Sequence, residues 1–166
     1  MRLRPVVPAV LLLAAAGAAY AAPAAPGFKV KTLDGHATLD SRTLIGKKVL
    51  VLRFQASYCK PCAREATALA QLAARYAGRV EVWAIHVQDT AADARAWVEA
   101  RKPPYPVALD PRLTIGNRYG FKGAPYTVVV DRKGEIAWRL SGESAPARLP
   151  RVLDDILARE KPSRKL

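Results

Sequence analysis

The apolar residues of this chain follow two patterns, and their order predicts the centre of a fold. The segment 49–54 begins with four consecutive apolar residues, as in a strand buried on both faces, and 80–87 reads as a second such strand. Between them, the segment 63–76 carries apolar residues at helical spacing, including Leu69 and Leu72. Two buried strands joined by a helix predict a right-handed, parallel βαβ unit.

Shorter elements are predicted on both sides of this unit. Residues 34–35, Asp-Gly, are a typical hairpin turn, and Thr90 followed by Asp93 matches a capping box. The other predicted strands are 28–32, 37–39, 105–109, 126–130 and 135–140; the other predicted helices are a short turn over 41–45, 91–101, 110–119 and a last helix with Leu149, Val152, Leu153, Ile156 and Leu157 on one stripe. Together they predict an α/β fold, in which a mixed central sheet is flanked by helices on both faces, with an N-terminal β-hairpin and an inserted αβ element.

The first 21 residues have the pattern of a targeting segment. Arg2 and Arg4 precede an apolar run over 6–19, and residues 19–21, Ala-Tyr-Ala, match an A-x-A cleavage site. This pattern predicts a cleaved secretory signal peptide; an uncleaved anchor is disfavoured because the run is shorter than the ~20 residues that a spanning helix needs. The predicted organisation is a signal peptide over 1–21, a flexible leader over 22–27, one domain over 28–160 and a basic tail over 161–166, and the expected location is a bacterial periplasm.

The chain is strongly basic. Its 27 Lys and Arg against 14 Asp and Glu give a formal net charge of +13, which becomes +11 when Arg2 and Arg4 leave with the signal peptide (13 − 2). Such a charge can steer association with acidic partners or an anionic membrane surface, although a solvated basic surface is the simpler interpretation. Nucleic-acid binding is disfavoured by the predicted export and by the lack of an aromatic-and-basic strand motif.

The two cysteines of the chain form a C-x-x-C motif between the strand 49–54 and the following helix. A thiolate is the species that attacks a disulfide, and the positive end of a helix dipole lowers the pKa of a cysteine placed there. We therefore assign Cys59 as the exposed nucleophile. Cys62, one helical turn later on the same face, is expected to resolve the mixed disulfide by attacking Cys59. Pro61 suits the first helical turn, where a missing N–H does no harm, and Lys60 adds a cation.

Other interpretations of the motif are weaker. A structural zinc site usually needs four Cys or His ligands, whereas this chain has two cysteines and two histidines, His36 and His86, far apart in sequence. A purely structural disulfide across two residues closes too small a loop to stabilise the fold much. A redox dithiol is therefore favoured, and neither a cofactor nor a metal is expected.

A second motif, Gly123-Ala124-Pro125-Tyr126, precedes the strand 126–130. Together with C-x-x-C it resembles the thioredoxin superfamily, and over roughly residues 26–160 the chain looks like the TlpA/ResA/DsbE-type group of exported thioredoxin-like proteins. The segments that carry the resemblance are Phe28…Asp34-Gly35, Gly46-Lys47, Phe54-x-Ala-Ser-x-Cys-x-Pro-Cys-x-x-Glu65, Tyr105-Pro106-Val107…Asp110, Tyr119-Gly120-x-x-Gly123-x-Pro125-x-Thr127 and Asp131-x-x-Gly134.

The resemblance implies roles for residues around the dithiol. Pro125 would be a cis proline facing the disulfide, leaving the backbone of Ala124 free to pair with an extended client segment. Glu65 would shuttle the proton that Cys62 loses before it attacks; alternatively it is an acid favoured by the helix dipole alone. The residues expected to contact a client are Tyr58, Lys60, Pro61, Ala124 and Tyr126.

Three residues depart from the pattern of the group. Gln55 and Tyr58 stand where tryptophans are usual, and Arg53 stands where thioredoxins carry a buried acid. A buried arginine needs a partner, so we predict that Arg53 pairs with Glu65, holding Glu65 ionised and favouring a cysteine thiolate. The alternative is that Arg53 extends to solvent along the sheet edge.

The group implies an activity: thiol–disulfide exchange by a monomer that takes electrons from a membrane thiol donor and reduces a cysteine-containing client protein. Clients in such groups include the haem-attachment cysteines of apocytochromes c and copper-site cysteines of oxidase subunits. Two alternatives stay open: a copper chaperone that binds Cu(I) through Cys59 and Cys62, with His86 as a candidate third ligand, and an oxidant that introduces disulfides. Peroxidase activity is not expected, because no P-x-x-x-T-x-x-C setting surrounds the cysteine.

Overall fold

The computed structural model of the protein describes residues 22–160; the predicted signal peptide over 1–21 and the basic tail over 161–166 lie outside this range. Within it no helix is both long and apolar enough to cross a membrane. The strands are β1 Lys29–Lys31, β2 Thr38–Asp40, β3 Val49–Gln55, β4 Val80–Val87, β5 Val107–Asp110, β6 Tyr126–Val130 and β7 Ile136–Ser141; the α-helices are α1 Lys60–Arg75, α2 Ala91–Arg101 and α3 Ala145–Arg159, and short 3-10 helices span Ser41–Leu44 and Asn117–Tyr119.

The central sheet has five strands in the order β5-β4-β3-β6-β7. β3 lies in the middle and pairs in parallel with β4 and antiparallel with β6, so the predicted parallel βαβ unit and the mixed sheet are both confirmed. β1 and β2 form the predicted hairpin as a separate two-stranded sheet. Every residue of β3 is buried, in keeping with its five apolar residues out of seven; the two polar exceptions are Arg53 and Gln55.

Two layers of apolar side chains enclose the sheet. On one face, Leu69 and Leu72 of α1 pack with Leu149 and Leu153 of α3 against strand residues such as Val51. The opposite face is covered by the hairpin and the segment before β6; its core includes Phe28, Leu39, Leu52, Phe54, Ile115 and Tyr119. Each fully buried side chain of this kind contributes ~1.5–3 kcal/mol.

One predicted helix is wrong. The segment 110–119 forms turns and the 3-10 helix Asn117–Tyr119 instead of a continuous α-helix. The carboxylate of Asp110 accepts hydrogen bonds from the backbone N–H groups of Thr114, Ile115 and Gly116, and Leu113 has a positive φ of 57°. A side chain that binds nearby backbone donors in this way competes with helix formation.

The residues predicted as a flexible leader lie against the domain in the structure. The N–H of Ala25 donates to the carbonyl of Gly134, the N–H of Ile136 donates to the carbonyl of Pro23, and Ala24 forms an antiparallel bridge with Glu135. Tyr119 adds a hydrogen bond from its hydroxyl to the carbonyl of Pro26. These contacts extend the folded domain to residue 23.

Candidate redox active site

The C-x-x-C motif lies at the junction of β3 and α1. Cys59 is the N-cap residue of α1, and its Sγ accepts a hydrogen bond from the N–H of Cys62 at 3.2 Å. The helix starts at Lys60, three residues before the predicted start, with Pro61 in its first turn where no N–H is needed. The sulfur of Cys59 therefore occupies the place where unpaired N–H groups and the helix dipole favour negative charge.

The two cysteines form a disulfide. Their sulfur atoms are 2.06 Å apart and their Cα atoms 5.2 Å apart. Cys59 was expected to be exposed, but in this oxidised state it is only 6% exposed and Cys62 2%, because Ala56 and Ala124 pack against the pair. Of the two sulfurs, that of Cys59 belongs to the more accessible residue.

The proline loop lies beside the disulfide, as the resemblance implies. The peptide bond between Ala124 and Pro125 is cis, and Ala124 packs against the cysteine pair. The preceding residue, Gly123, has a φ of 142°, a backbone conformation that favours glycine. The carbonyl of Pro125 accepts a hydrogen bond from the N–H of Gly142 at 2.8 Å, which ties the loop to the end of β7.

The residues predicted to contact a client divide into an exposed group and a buried one. Tyr58 is 64% exposed, an unusual state for a large aromatic side chain, and Lys60 is also exposed. Pro61 and Ala124 are partly exposed. Tyr126 differs from the prediction: it is 3% exposed, and its hydroxyl donates to the carbonyl of Tyr119 at 3.0 Å. Its side chain supports the proline loop from the core and is not available to a client.

Arg53 and Glu65 form the predicted ion pair. Arg53 is 1% exposed, so the alternative in which it reaches solvent is wrong. Its Nη2 hydrogen bonds to Glu65 Oε2, and its Nη1 donates to Thr127 Oγ1 at 2.9 Å. Burial lowers the pKa of the Arg53 guanidinium, while the hydrogen bond and charge of Glu65 act in the opposite direction. The pair joins β3 to α1 beneath the redox motif.

Glu65 also holds the start of α3. Its second oxygen, Oε1, accepts a hydrogen bond from the N–H of Ser144 at 2.6 Å, so both carboxylate oxygens are engaged. No hydrogen bond joins Glu65 to Cys62 within residues 22–160. This geometry fits a carboxylate that anchors Arg53 and α3; the predicted proton transfer to or from Cys62 stays a prediction.

A buried polar cluster, which sequence patterns do not assign, lies next to the site. Gln55 Nε2 is 2.9 Å from His86 Nε2, and His86 Nδ1 is 2.8 Å from Asp89 Oδ2. Asp89 in turn accepts two 2.7 Å hydrogen bonds from Ser57, one from its N–H and one from its hydroxyl. Both ring nitrogens of His86 are thus occupied, and the arrangement does not present this histidine to the cysteines as a copper ligand. In the sequence, the signal that could have revealed this cluster is the polar character of Gln55 and His86, which stand near the ends of two buried strands.

Comparisons with known proteins agree with this arrangement. The model of the AhpC/TSA family matches residues 22–139. The chain is 33% identical over 115 residues to the thioredoxin-like protein YneN of Bacillus subtilis; this alignment covers 68% of the chain and 66% of YneN. It is 29% identical over 133 residues to the thiol-disulfide oxidoreductase ResA of Bacillus thuringiensis; this alignment covers 80% of the present chain and 76% of ResA.

A solved structure supports the same assignment. The putative thiol:disulfide interchange protein DsbE from Chlorobium tepidum superposes with a TM-score of 0.74 at 26% identity, over 82% of this chain and 96% of that one. The predicted thioredoxin-like fold and the predicted resemblance to the ResA and DsbE group are therefore confirmed. The chain belongs to the AhpC/TSA family, as a thioredoxin-like thiol–disulfide oxidoreductase.

Proposed function

We propose that this enzyme is an exported reductase of disulfides in client proteins, with Cys59 as nucleophile and Cys62 as resolving residue. The observation that supports this assignment best is the position of Cys59 Sγ at the N-cap of a 16-residue helix, where it already accepts the Cys62 N–H. A thiolate formed there is stabilised by the helix dipole and by unpaired N–H groups. Cys59 is also the residue beside the exposed Tyr58.

The cycle begins with the reduced dithiol. The Cys59 thiolate attacks one sulfur of the client disulfide, an S–S bond forms between Cys59 and the client, and the other client sulfur leaves as a thiolate. Cys62 then loses its proton and attacks Cys59 Sγ, which releases the second client thiol and closes the Cys59–Cys62 disulfide. Two electrons pass to the client, and a membrane thiol donor restores the dithiol.

A client is proposed to bind across the rim formed by the cysteine motif and the proline loop. Ala124 contacts the disulfide, so an extended client segment paired with its backbone would place a client sulfur next to Cys59. Tyr58, Lys60 and Pro61 flank this position, and Tyr58 offers an apolar contact surface. Apocytochromes c and copper-site subunits are the proposed classes of client, because both carry the cysteines on which thiol–disulfide exchange acts.

The proposal is tested by trapping. In the Cys62→Ala variant the mixed disulfide cannot be resolved, so proteins linked to Cys59 should accumulate in the periplasm and be released by dithiothreitol. Cys59→Ala is the matched control, and it should trap nothing. Equal trapping by the two variants would contradict the assignment of Cys59 as nucleophile. The direction of transfer is tested by the reduction potential: a value well above that of the glutathione pool would make the protein an oxidant.

A further inference from the structure

The polar cluster of Gln55, Ser57, His86 and Asp89 lies beneath the turn that presents Cys59. Gln55 is the last residue of β3, and its register partner in β4 is His86. Asp89 follows the end of β4 and binds Ser57, two residues before the nucleophile. The turn itself is closed by a hydrogen bond from the N–H of Cys59 to the carbonyl of Ala56 at 3.1 Å. The cluster therefore supports the nucleophile's turn from below.

The hydrogen bonds of the cluster define its charges. The Ser57 N–H and hydroxyl both donate to Asp89, so this side chain is an acceptor and hence a carboxylate. His86 Nδ1 then donates to Asp89, which leaves Nε2 to accept from the Gln55 amide. The imidazole is thus neutral, with its proton on Nδ1.

The pKa directions agree with this protonation. Burial lowers the pKa of His86, while Asp89 opposes the shift. Burial acts to raise the pKa of Asp89, but hydrogen bonds from His86 and Ser57 outweigh it, and the pKa is lowered. A neutral histidine and an ionised aspartate follow.

The cluster therefore ends in a negative charge close to the redox motif. Asp89 is 7% exposed and His86 is fully buried. The ring of Trp97 packs edge-on against the imidazole, with 5.1 Å between the two ring centroids. Within residues 22–160, no lysine or arginine lies within ion-pair distance of the Asp89 carboxylate. Such a charge, held by neutral partners in a low-dielectric setting, acts on nearby titratable groups more strongly than a solvated one.

We propose that Asp89 is a positioning residue of the redox site: it fixes the turn before Cys59 through Ser57, and its carboxylate lowers the reduction potential of the Cys59–Cys62 pair. Gln55 and His86 hold the carboxylate in place. The inference rests on the proposed redox role of the two cysteines.

The direction of the effect follows from the charges of the two redox states. The disulfide carries no charge, whereas the reduced site carries the Cys59 thiolate. A nearby carboxylate repels that thiolate and thus destabilises the reduced state, which makes the pair a stronger reductant. Asp89 therefore acts against the helix dipole, which favours the thiolate.

Asp89→Asn tests the charge with little change of shape. The asparagine oxygen can still accept from Ser57 N–H and His86, and its amide can donate to the Ser57 hydroxyl oxygen. We expect the equilibrium of the disulfide with two molecules of glutathione, giving the dithiol and oxidised glutathione, to shift toward the dithiol by about threefold to tenfold; tenfold corresponds to about 30 mV. The pKa of the Cys59 thiol, measured by thiolate absorbance, should fall in parallel.

Ser57→Ala is the matched control, because it removes the hydroxyl hydrogen bond to Asp89 but keeps both the charge and the backbone N–H bond that fixes the turn. We expect its glutathione equilibrium to stay within about twofold of the wild type. If Asp89→Asn changes thermal stability but neither the equilibrium nor the thiol pKa, the residue is structural and the proposal is overturned. If Asp89→Asn does not fold, Asp89→Ser, neutral and smaller, provides the same comparison. Because the measurement needs no client, it is independent of whether the protein reduces client disulfides; a wild type that never exchanges with glutathione would instead refute the proposed function.

Discussion

The Arg53–Glu65 pair is expected to make a large contribution to stability, since the charged group of Arg53 is almost completely buried. Replacing Glu65 with Leu leaves the Arg53 guanidinium, 1% exposed, with a single hydrogen bond to Thr127. Removing one partner of a buried ion pair typically destabilises a protein by about 3–5 kcal/mol. The Glu65 side chain is 15% exposed, so some water can reach the site, and we expect the lower end, about 3 kcal/mol.

A double-mutant cycle separates the pair from its surroundings. Arg53→Met leaves Glu65 with the Ser144 N–H and with partial access to water, and should cost about 1–3 kcal/mol. The double variant Arg53→Met, Glu65→Leu buries no unpaired charge and should fall within about 2 kcal/mol of the wild type. Subtracting the cost of the double variant from the sum of the two single costs gives a coupling energy of at least about 2 kcal/mol.

Urea unfolding of the oxidised protein, followed by tryptophan fluorescence, measures these free energies. The exposed pair between Arg64 of α1 and Glu143, which lies between β7 and α3, is the control; its side chains are 61% and 55% exposed, and it should show a coupling under about 1 kcal/mol. If the buried pair couples no more strongly than this exposed pair, the reasoning from burial fails.

The same position distinguishes an anchoring role from proton transfer. Glu65→Gln keeps an oxygen for Arg53 or Ser144 but cannot take up a proton as a carboxylate does. If Glu65 only anchors these groups, Glu65→Gln should lose stability while the rate at which Cys62 resolves a mixed disulfide changes less than about tenfold. A loss of about 100-fold in that rate would support the shuttle, since general acid–base catalysis contributes about 10²–10⁴-fold.

Two further predictions concern buried titratable groups. Burial lowers the pKa of His86 below its ordinary value of 6.5, so below about pH 6.5 the unfolded chain binds a proton that the folded protein does not. The free energy of unfolding should therefore fall as the pH drops below about 6.5. This dependence on pH should be weaker in His86→Gln. Urea titrations at several pH values measure both, and equal slopes would contradict the buried neutral state. The Tyr105 hydroxyl is buried and has no hydrogen-bond partner among residues 22–160, and burial raises its pKa to about 12. Tyr105→Phe should therefore leave stability unchanged or raise it by up to about 1 kcal/mol in thermal unfolding, whereas a loss of more than that would indicate a partner.

The elements that sequence alone predicts well are those with a strong local signal. The buried strands β3 and β4 contain continuous apolar residues, and α2 begins with Thr90, whose hydroxyl accepts from the N–H of Asp93 as the capping pattern predicts. The segment 110–119 failed because the helix-starting signal of Asp110-Pro111 is also the signal of a loop in which the carboxylate binds successive N–H groups. Local chemistry alone does not separate these two outcomes.

Residues of the candidate site were predictable where a buried charged side chain needs a partner of opposite charge. Arg53 lies in a strand that must be buried, so a carboxylate at the start of the next helix was the natural partner, and Glu65 fulfils this role. The polar cluster of Gln55, Ser57, His86 and Asp89 was not predictable in the same way. Gln55 and His86 are 31 residues apart in sequence, and Ser57 and Asp89 are 32 apart. The register of β3 against β4 brings these residues into contact, and no local pattern predicts it.

The bridge between Ala24 and Glu135 determines where any preceding polypeptide joins the domain. Glu135 adjoins the end of β6 that pairs with Leu50, whereas the cysteines follow the opposite end of β3. β3 has seven residues at about 3.3 Å each, so the Ala24–Glu135 bridge and the cysteines lie at opposite ends of the sheet, roughly 20 Å apart. The segment that leads into the domain therefore joins it at the end of the sheet opposite the disulfide, and residues 22–25 do not obstruct the approach of a client to Cys59.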